Sequence, residues 1–306
     1  MFALSKNPLA RRVLRPAAVL VDRRVTRHTD RLRPEIEELR REVAALRAEH
    51  SSLGLLVDGT ARSGPRTPTA AQLDTLVGQV AAVTGAPRAV ARRNVVLAYR
   101  NVIALEMLGV GRLAGSTQNV CGKLATVPLL APADHPDVLE IGTLYGLFAA
   151  SLLRMLHRAG IEPRLTIVDP LAGSQLQPGT REAADPTGTP VRLDVLRANL
   201  AFGGTPGAEA RIVRGFSGDD DVRTRVSDRA YGVIVVDGDH SADGVRADLE
   251  WAEKIAAPGG TIVIDDYGDA RWHEVKQAAD QHLSRPGSRF ELLGTASTSA
   301  FLRVRD

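Results

Sequence analysis

Residues 138–146 have the sequence Val-Leu-Glu-Ile-Gly-Thr-Leu-Tyr-Gly, a short apolar run that carries one acid and leads into a turn with two glycines. Such a run predicts a buried strand that passes directly into a helix. Ligands bind beyond the carboxyl ends of the strands in sheets of this kind. Gly142 would let the backbone approach a ligand closely, and Gly146 would let the next helix begin against the strand. Glu140 could accept hydrogen bonds from an amino or cationic group of the ligand.

Short apolar runs alternate with helix-like segments through the rest of the C-terminal half. The runs predict further strands at 165–168, 210–213, 232–236, 261–264, 290–293 and 300–304, and helices at 147–158 and 242–255. This alternation is typical of an α/β fold with a doubly wound, mostly parallel sheet, here of seven strands. We expect the last two strands to form an antiparallel pair that closes one edge of the sheet.

An acid, Asp169, ends the second predicted strand, 29 residues after Glu140. An acid at this point can accept both ribose hydroxyls of an adenosine ligand. The Gly-x-Gly-x-x-Gly fingerprint of dinucleotide sites is absent, which disfavours a pyrophosphate cradle. Ser217, which follows the third strand, is a further candidate for binding the cofactor.

Two acidic motifs follow the next two strands. Residues 235–241 have the sequence Val-Val-Asp-Gly-Asp-His-Ser, and residues 262–267 have the sequence Ile-Val-Ile-Asp-Asp-Tyr. Asp237, Asp265 and Asp266 should therefore converge at one edge of the sheet. Three carboxylates in one pocket repel one another unless a cation compensates them, and oxygen ligands suit Mg²⁺ or Mn²⁺. The sequence predicts a divalent metal site.

A hydroxyl bound to such a metal would need a base to remove its proton. His240 is the natural candidate, because the unperturbed pKa of histidine lies near neutrality. Asp237 is the alternative base. Each motif could also be a plain turn at the end of a strand, but their occurrence on neighbouring core strands favours a common site.

These residues resemble the class I methyltransferase superfamily. The motifs at 237–241 and 265–267 are similar, more closely, to those of metal-dependent sugar O-methyltransferases of the macrocin and mycinamicin type. The similarity extends over about residues 137–304. It implies a Rossmann-like methyltransferase fold and methyl transfer from S-adenosylmethionine to a hydroxyl of a sugar in a glycan, glycolipid or glycosylated natural product.

The resemblance also implies roles for individual residues. Binding of S-adenosylmethionine would fall to Glu140, Gly142 and Asp169. Mg²⁺ would be held by Asp237, Asp265 and Asp266, with His240 or Asp237 as the base. An NAD-dependent oxidoreductase and a non-catalytic scaffold protein remain alternatives. The missing phosphate fingerprint disfavours the oxidoreductase, and the complete acidic set disfavours the scaffold.

The N-terminal segment differs in charge from the rest of the chain. Residues 1–33 contain nine Lys or Arg and two Asp, so they carry +7, whereas the other 273 residues sum to −4. A basic arm of this kind can make peripheral contact with a membrane surface. The apolar run 16–21 is too short to span a membrane, which favours a cytoplasmic protein. With aromatic residues at 4%, stacking surfaces for nucleic acid are scarce, and we expect no nucleic-acid partner.

A helix is expected to begin near Pro34. Its apolar residues recur at spacings of three and four, typical of a coiled-coil seam: Ile36, Leu39, Val43, Leu46 and Leu53. The seam could join subunits, which would make a homo-oligomer, or pack against the chain's own body. The sequence divides into a basic arm with this helix (1–57), a linker (58–69), a helical segment (70–130) with helices at 70–83 and 87–108, and a catalytic domain (131–306).

Overall fold

The computed structural model describes residues 24–46, 66–172, 185 and 188–305. The chain divides into two compact units, Met1–Asp58 and Gly59–Asp306. In the first unit, helix α1 spans residues 24–46 and all of its residues are exposed. The predicted arm lies outside the described residues up to position 23, as do Leu53 and most of the predicted linker.

The second unit is built on a mixed sheet. Within the described ranges it has seven strands: β1 (Asp137–Ile141), β2 (Arg164–Asp169), β3 (Arg211–Arg214), β4 (Tyr231–Val236), β5 (Ala256–Ile264), β6 (Phe290–Ala296) and β7 (Ser299–Val304). Their order is β3-β2-β1-β4-β5-β7-β6, with β1 to β5 parallel and β7 antiparallel to both of its neighbours. The predicted Rossmann-like fold is therefore confirmed, including the antiparallel pair at the edge.

Helices cover both faces of this sheet. They are α2 (Ala70–Thr84), α3 (Arg88–Leu108), α4 (Thr117–Leu130), α5 (Leu147–Arg158), α6 (Leu193–Leu200), α7 (Thr205–Ala208), α8 (Asp220–Val226), α9 (Ala242–Ile255) and α10 (His273–Leu283). Alternate residues of a strand point to opposite faces. Accordingly Val138 joins the apolar cluster that contains α2 to α6, whereas Leu139 joins the cluster of α8 to α10. Among the described residues, no helix combines the length and the apolar character needed to cross a membrane.

Helix α4 lies within the predicted helical segment 70–130, but the sequence pattern did not identify it as a separate helix. It is buried on nearly every side, so it lacks the alternation of apolar and polar faces that marks a surface helix. Gly122 and Pro128 lie inside it, and both residues disfavour a helix in short-range propensity. Tertiary packing overrides that propensity. As a result, Asn119 and Lys123 become buried beside the carboxyl edge of the sheet.

A buried ion pair fixes the start of the second unit. Arg66 donates from Nε and Nη2 to the two carboxylate oxygens of Glu106, each at 2.7 Å. It also donates to Thr117 Oγ1 and to the carbonyl of Leu113. Since Arg66 is 1% exposed, this network ties the segment before α2 to the end of α3 and the start of α4.

Candidate functional site

The carboxyl ends of β1, β2, β4 and β5 lie at the same level. Ile141 pairs with Val168 and Val236, and Val236 pairs with Ile264, so the residue that follows each strand lies at one edge. A cavity of about 530 Å³ opens there, between the loops after β1 to β4 and the first half of α9. Its size falls within the usual range of small-molecule sites.

Both glycines of the turn after β1 adopt a positive φ, which favours glycine, but the groups that approach them differ from those predicted. Gly142 has φ +83°, and a Cβ there would lie 2.0 Å from the carbonyl oxygen of Asp237. Gly142 is thus required mainly by the backbone after β4, although it also lines the cavity. Gly146 has φ +77°, and a Cβ would meet Leu196 of α6 at 2.4 Å. It lets α5 begin against another helix and not against the strand.

Asp169 holds this turn in place. Its Oδ2 accepts hydrogen bonds from the amides of Thr143 (2.8 Å) and Leu144 (3.3 Å), and its Oδ1 accepts one from the amide of Leu171. A carboxylate has about four acceptor positions, so room for a ligand hydroxyl remains. Asp169 lines the cavity, as does Ser217 in the loop after β3. Their predicted roles in binding the cofactor stay predictions.

Glu140 is buried at the cavity with an unused acceptor. It is 2% exposed, and its Oε2 makes no hydrogen bond within the described part of the chain. Burial raises the pKa of Glu140 to about 8, and the nearby charge of Asp237 acts in the same direction. A buried acid with no basic partner at hydrogen-bond distance favours a cationic ligand.

A second buried acid at the cavity was missed by sequence reasoning. Asp248 on α9 is 1% exposed, and its Oδ2 has no hydrogen-bond partner among the described residues. Burial raises its pKa to about 6. Its position in the middle of an amphipathic helix gave no signal, because only the packing of α9 turns this side chain inward.

The three predicted metal ligands do converge, but a lysine lies among them. Lys123 of α4 is 2% exposed, and its ammonium donates a short hydrogen bond to Asp265 Oδ2 and lies 3.5 Å from Asp237 Oδ2. Burial alone would lower the pKa of Lys123, but the charges of Asp265 and Asp237 outweigh it and raise the pKa. The ammonium also sits 4.7 Å from the centre of the Phe148 ring.

Both carboxylate oxygens of Asp265 already accept hydrogen bonds from side chains in the described part of the chain. Its Oδ1 accepts hydrogen bonds from Asn119 Nδ2 (2.6 Å) and Ser299 Oγ (2.7 Å), while Oδ2 accepts from Lys123. In the part of the chain that is described, no group of three or more His, Cys, Asp or Glu side chains could hold a metal ion. The side chains therefore fit a divalent cation poorly, because the protein supplies its own cation. Magnesium binding stays a prediction.

Asp266 and His240 complete the acidic cluster, whose other members are Asp237, Asp265 and Lys123. The Nε2 of His240 lies 3.5 Å from Asp237 Oδ1 and 4.0 Å from Asp266 Oδ2. Burial, then the charges of Asp265 and Asp237, raise the pKa of Asp266 to about 7. Burial would lower the pKa of His240, but Asp237 and Asp266 outweigh it and raise the pKa. Trp272 packs edge-on to the imidazole at 4.7 Å.

The two candidate bases differ in position. Asp237 lines the cavity, whereas His240 is not among the described residues that line it. A proton that leaves a ligand in the cavity would therefore meet Asp237 first. His240 lies behind it, with Nε2 3.5 Å from Asp237 Oδ1, and the choice between the two as the base stays a prediction.

Residues 139–267 match the family model of a methyltransferase domain. A comparison with curated proteins finds no significant match. Three solved structures illustrate the similarity of the fold. The cofactor-bound protein Rv0187 from MTB has 22% identity and a TM-score of 0.45, over 70% of this chain and 90% of that chain. The O-methyltransferase from Bacillus cereus, in complex with SAH, has 16% identity and a TM-score of 0.43, over 78% and 92%. TomG, an O-methyltransferase from Streptomyces achromogenes in complex with SAM, has 18% identity and a TM-score of 0.43, over 69% and 90%.

Identities and TM-scores this low carry no substrate or mechanism over to this chain. The matched segment contains the predicted donor turn at Gly142 and both acidic motifs, and it gives no support to an NAD-dependent oxidoreductase. Residues 139–267 are therefore a methyltransferase domain, and the predicted enzyme class, an S-adenosylmethionine-dependent methyltransferase, is confirmed.

Proposed function

We propose that this chain transfers a methyl group from S-adenosylmethionine to a hydroxyl of a sugar in a glycan, glycolipid or glycosylated natural product. The observation that carries the proposal is the cavity at the carboxyl edge of the sheet. Its lining includes the buried acid Glu140 and Asp237, the one acid of the Asp237, Asp265 and Asp266 set that lines it among the described residues. Such a cavity can hold a cationic donor next to a group that accepts a proton.

The donor half of the site would be formed by the loops after β1, β2 and β3. Glu140, whose Oε2 is unpaired, would accept hydrogen bonds from the ammonium of the donor. Asp169 would take the ribose hydroxyls with the acceptor capacity that the turn leaves free. Ser217 and the buried Asp248 lie on the same wall of the cavity and would face the base.

The reaction is a single displacement at carbon. The acceptor oxygen forms a bond to the methyl carbon while the bond from that carbon to the sulfonium sulfur breaks, and sulfur keeps the electron pair. The hydroxyl proton goes to the carboxylate of Asp237, which becomes neutral, and His240, whose Nε2 lies 3.5 Å from Asp237 Oδ1, can receive the proton in turn. Holding oxygen and methyl carbon in line within one closed site accounts for much of the rate that such an enzyme can achieve.

The sugar hydroxyl is the part of the proposal that rests on sequence. The motifs at 237–241 and 265–267 are similar to those of sugar O-methyltransferases. An aliphatic hydroxyl is also the acceptor that most needs a base and a nearby cation, because it ionises only far above neutral pH. Magnesium dependence was predicted from the same motifs. Since the carboxylates fit a metal poorly, no step of the proposed reaction passes through one.

The experiment is a transfer assay with labelled S-adenosylmethionine. Glycosylated metabolites and cell-envelope glycans serve as acceptors, and their aglycones and a catechol serve as controls. We expect label only on sugar-bearing acceptors, at oxygen. Transfer to the catechol or to a nitrogen acceptor, with none to any sugar, would contradict the proposal.

A donor-binding variant tests the site separately. Asp169→Ala should weaken donor binding in calorimetry by about tenfold or more, because a pair of hydrogen bonds to a charged group is lost. Ser288→Ala, a change at a position far from the cavity, is the control. Equal donor affinity in the two variants would remove Asp169 from the binding site.

We further propose a cytoplasmic enzyme whose basic arm, residues 1–33, makes peripheral contact with anionic membranes. Support comes only from the charge of +7 on that segment. The full chain should sediment with phosphatidylserine vesicles at low salt and detach at high salt, but not bind phosphatidylcholine vesicles. Equal binding to both vesicle types, or to neither, would contradict the proposal.

A further inference from the structure

The acidic cluster contains a built-in cation. The ammonium of Lys123 lies between Asp265 and Asp237, where the carboxylates of two neighbouring strands come closest. A buried lysine with two carboxylates within 3.5 Å is held in its charged form, because losing the proton would leave those carboxylates uncompensated. The structure therefore satisfies the charge requirement from which a metal was predicted.

We propose that Lys123 takes the place that a divalent cation would fill between Asp237 and Asp265, so that methyl transfer in this chain needs no metal. The inference rests on the proposed function. Lys123 lines the cavity, so its ammonium can also face the acceptor. An ammonium has three donor positions, of which Asp265 takes one and Asp237 another. The third can point to the acceptor oxygen and stabilise the negative charge that develops as its proton leaves.

The support around Lys123 is built to hold it there. Asn119, one helical turn earlier on α4, and Ser299 on β7 both donate to the Asp265 oxygen that Lys123 does not use. The ring of Phe148 covers the ammonium on another side. These contacts engage both oxygens of Asp265, so a metal at Oδ2 would compete with the ammonium of Lys123.

Metal binding gives a readout that does not depend on turnover. Mn²⁺ is titrated into the wild type, Lys123→Met and the control Lys254→Met, an exposed lysine on α9, and free Mn²⁺ is followed by its paramagnetic resonance signal. We expect no stoichiometric binding to the wild type or the control, and one Mn²⁺ bound to Lys123→Met, whose carboxylates have lost their cation. Stoichiometric binding to the wild type would overturn the proposal. So would the absence of binding to a folded Lys123→Met, because the carboxylates would then not form a cation site.

The rate of methyl transfer gives a second, independent test. Wild-type transfer should continue in excess chelator, and Lys123→Met should lose about a hundredfold or more in kcat, the usual loss for a charge that stabilises a developing oxyanion. Loss of wild-type transfer in chelator, with recovery on adding Mg²⁺, would overturn the proposal. If Lys123→Met does not fold, the wild-type titration and the chelator result still decide. If no acceptor is methylated at all, the proposed function fails, while the Mn²⁺ titration still reports on Lys123.

A second inference comes from helix α1. Of the eleven large hydrophobic residues that are exposed in the described part of the chain, six lie on this one helix: Val25, Leu32, Ile36, Leu39, Val43 and Leu46. They form a heptad pattern. Leu occupies d at 32, 39 and 46, and β-branched residues occupy a at 36 and 43. This combination favours a two-stranded parallel coiled coil.

The charges that flank the seam select the same arrangement. The e positions hold Arg33 and Arg40, and the g positions hold Glu35 and Glu42. In a parallel pair, g of one helix faces the following e of its partner, so Glu35 meets an arginine. In an antiparallel pair, like positions face each other and each arginine would meet an arginine. Pro34 lies at f, on the outer face.

We infer that α1 joins two copies of this chain as a parallel, in-register coiled coil. The full chain should sediment as a dimer, and Leu39→Lys as a monomer. Arg40→Glu should weaken the dimer, and adding Glu35→Lys should restore it. Thr29→Cys, at an a position, should crosslink to its own counterpart on oxidation, whereas Arg41→Cys, at f, should not. A monomeric wild type would overturn the inference, as would a dimer in which Thr29→Cys fails to crosslink.

Discussion

Donor binding should release a proton from Glu140. Burial raises its pKa from the ordinary 4.5 to about 8, so at pH 7 about 0.9 of the molecules carry a proton on this carboxyl before the ligand arrives. A cationic donor next to Glu140 favours the charged carboxylate and so lowers this pKa. Glu140 should therefore contribute a release of about 0.9 proton on binding at pH 7, and this contribution should fall to about 0.1 at pH 9, because the acid is then already ionised.

The assay is titration calorimetry with S-adenosylmethionine in buffers of different ionisation enthalpy at one pH. The slope of the observed enthalpy against that ionisation enthalpy gives the number of protons released. The amino group of the donor is mostly protonated at pH 7, so it contributes little. Glu140→Gln should abolish most of the slope and weaken binding, whereas the exposed Glu209→Gln should change neither.

The same shift predicts how stability depends on pH without ligand. The pKa of Glu140 is raised in the folded state, so burial of this acid costs no stability below the unfolded-state pKa of 4.5. The loss of stability grows as pH rises above 4.5 and is complete above the folded-state pKa of about 8. A shift of this size corresponds to an upper limit on the order of 5 kcal/mol. Glu140→Gln should therefore gain stability over the wild type at pH 9 and not at pH 4. A flat buffer dependence at pH 7, together with equal stability of wild type and variant at pH 9, would refute the assignment of Glu140 as a protonated buried acid.

Three further predictions concern stability. Asp248→Asn should raise the free energy of unfolding by about 2–3 kcal/mol at pH 8 but not at pH 4, because burial destabilises only the ionised carboxylate, whose pKa is raised to about 6. Urea unfolding measures the difference, and equal gains at both pH values would contradict this prediction. Gly142→Ala should lower the free energy of unfolding by roughly 2–4 kcal/mol, because φ is positive and the new Cβ would lie 2.0 Å from the carbonyl oxygen of Asp237. Gly85→Ala, at φ +68° with open space around the position, should lower it by only about 1 kcal/mol. Equal losses in the two variants would rule out the clash. Arg66→Ala should cost about 3–5 kcal/mol, because it removes the guanidinium that pairs with both oxygens of the buried Glu106. Arg88→Ala, which breaks the exposed pair with Asp74, should cost less than about 1 kcal/mol, and an equally small loss for Arg66→Ala would contradict the prediction.

Local sequence patterns were sufficient to predict the parallel strands and several of the helices of this protein. Each parallel strand contains a short apolar run, which identified it without knowledge of its neighbours. Because parallel strands end at one edge, the order of strands and acids along the chain also predicts that Glu140, Asp169, Asp237 and Asp265 lie together. The helices α2, α3, α5 and α9 correspond to segments that were likewise predicted as helical from the sequence.

The sheet, the edge where the site lies and three of the acids that line it, Glu140, Asp169 and Asp237, follow from the amino-acid sequence alone. The buried Asp248 and the cation that balances Asp237 and Asp265 became visible only once the chain was folded. Lys123 is 142 residues from Asp265 and 114 from Asp237, on a helix whose burial on every side erases the pattern that would reveal it. A local sequence pattern indicates which face of a segment is exposed to solvent. The partner of a buried charge depends instead on packing between segments that are distant along the chain.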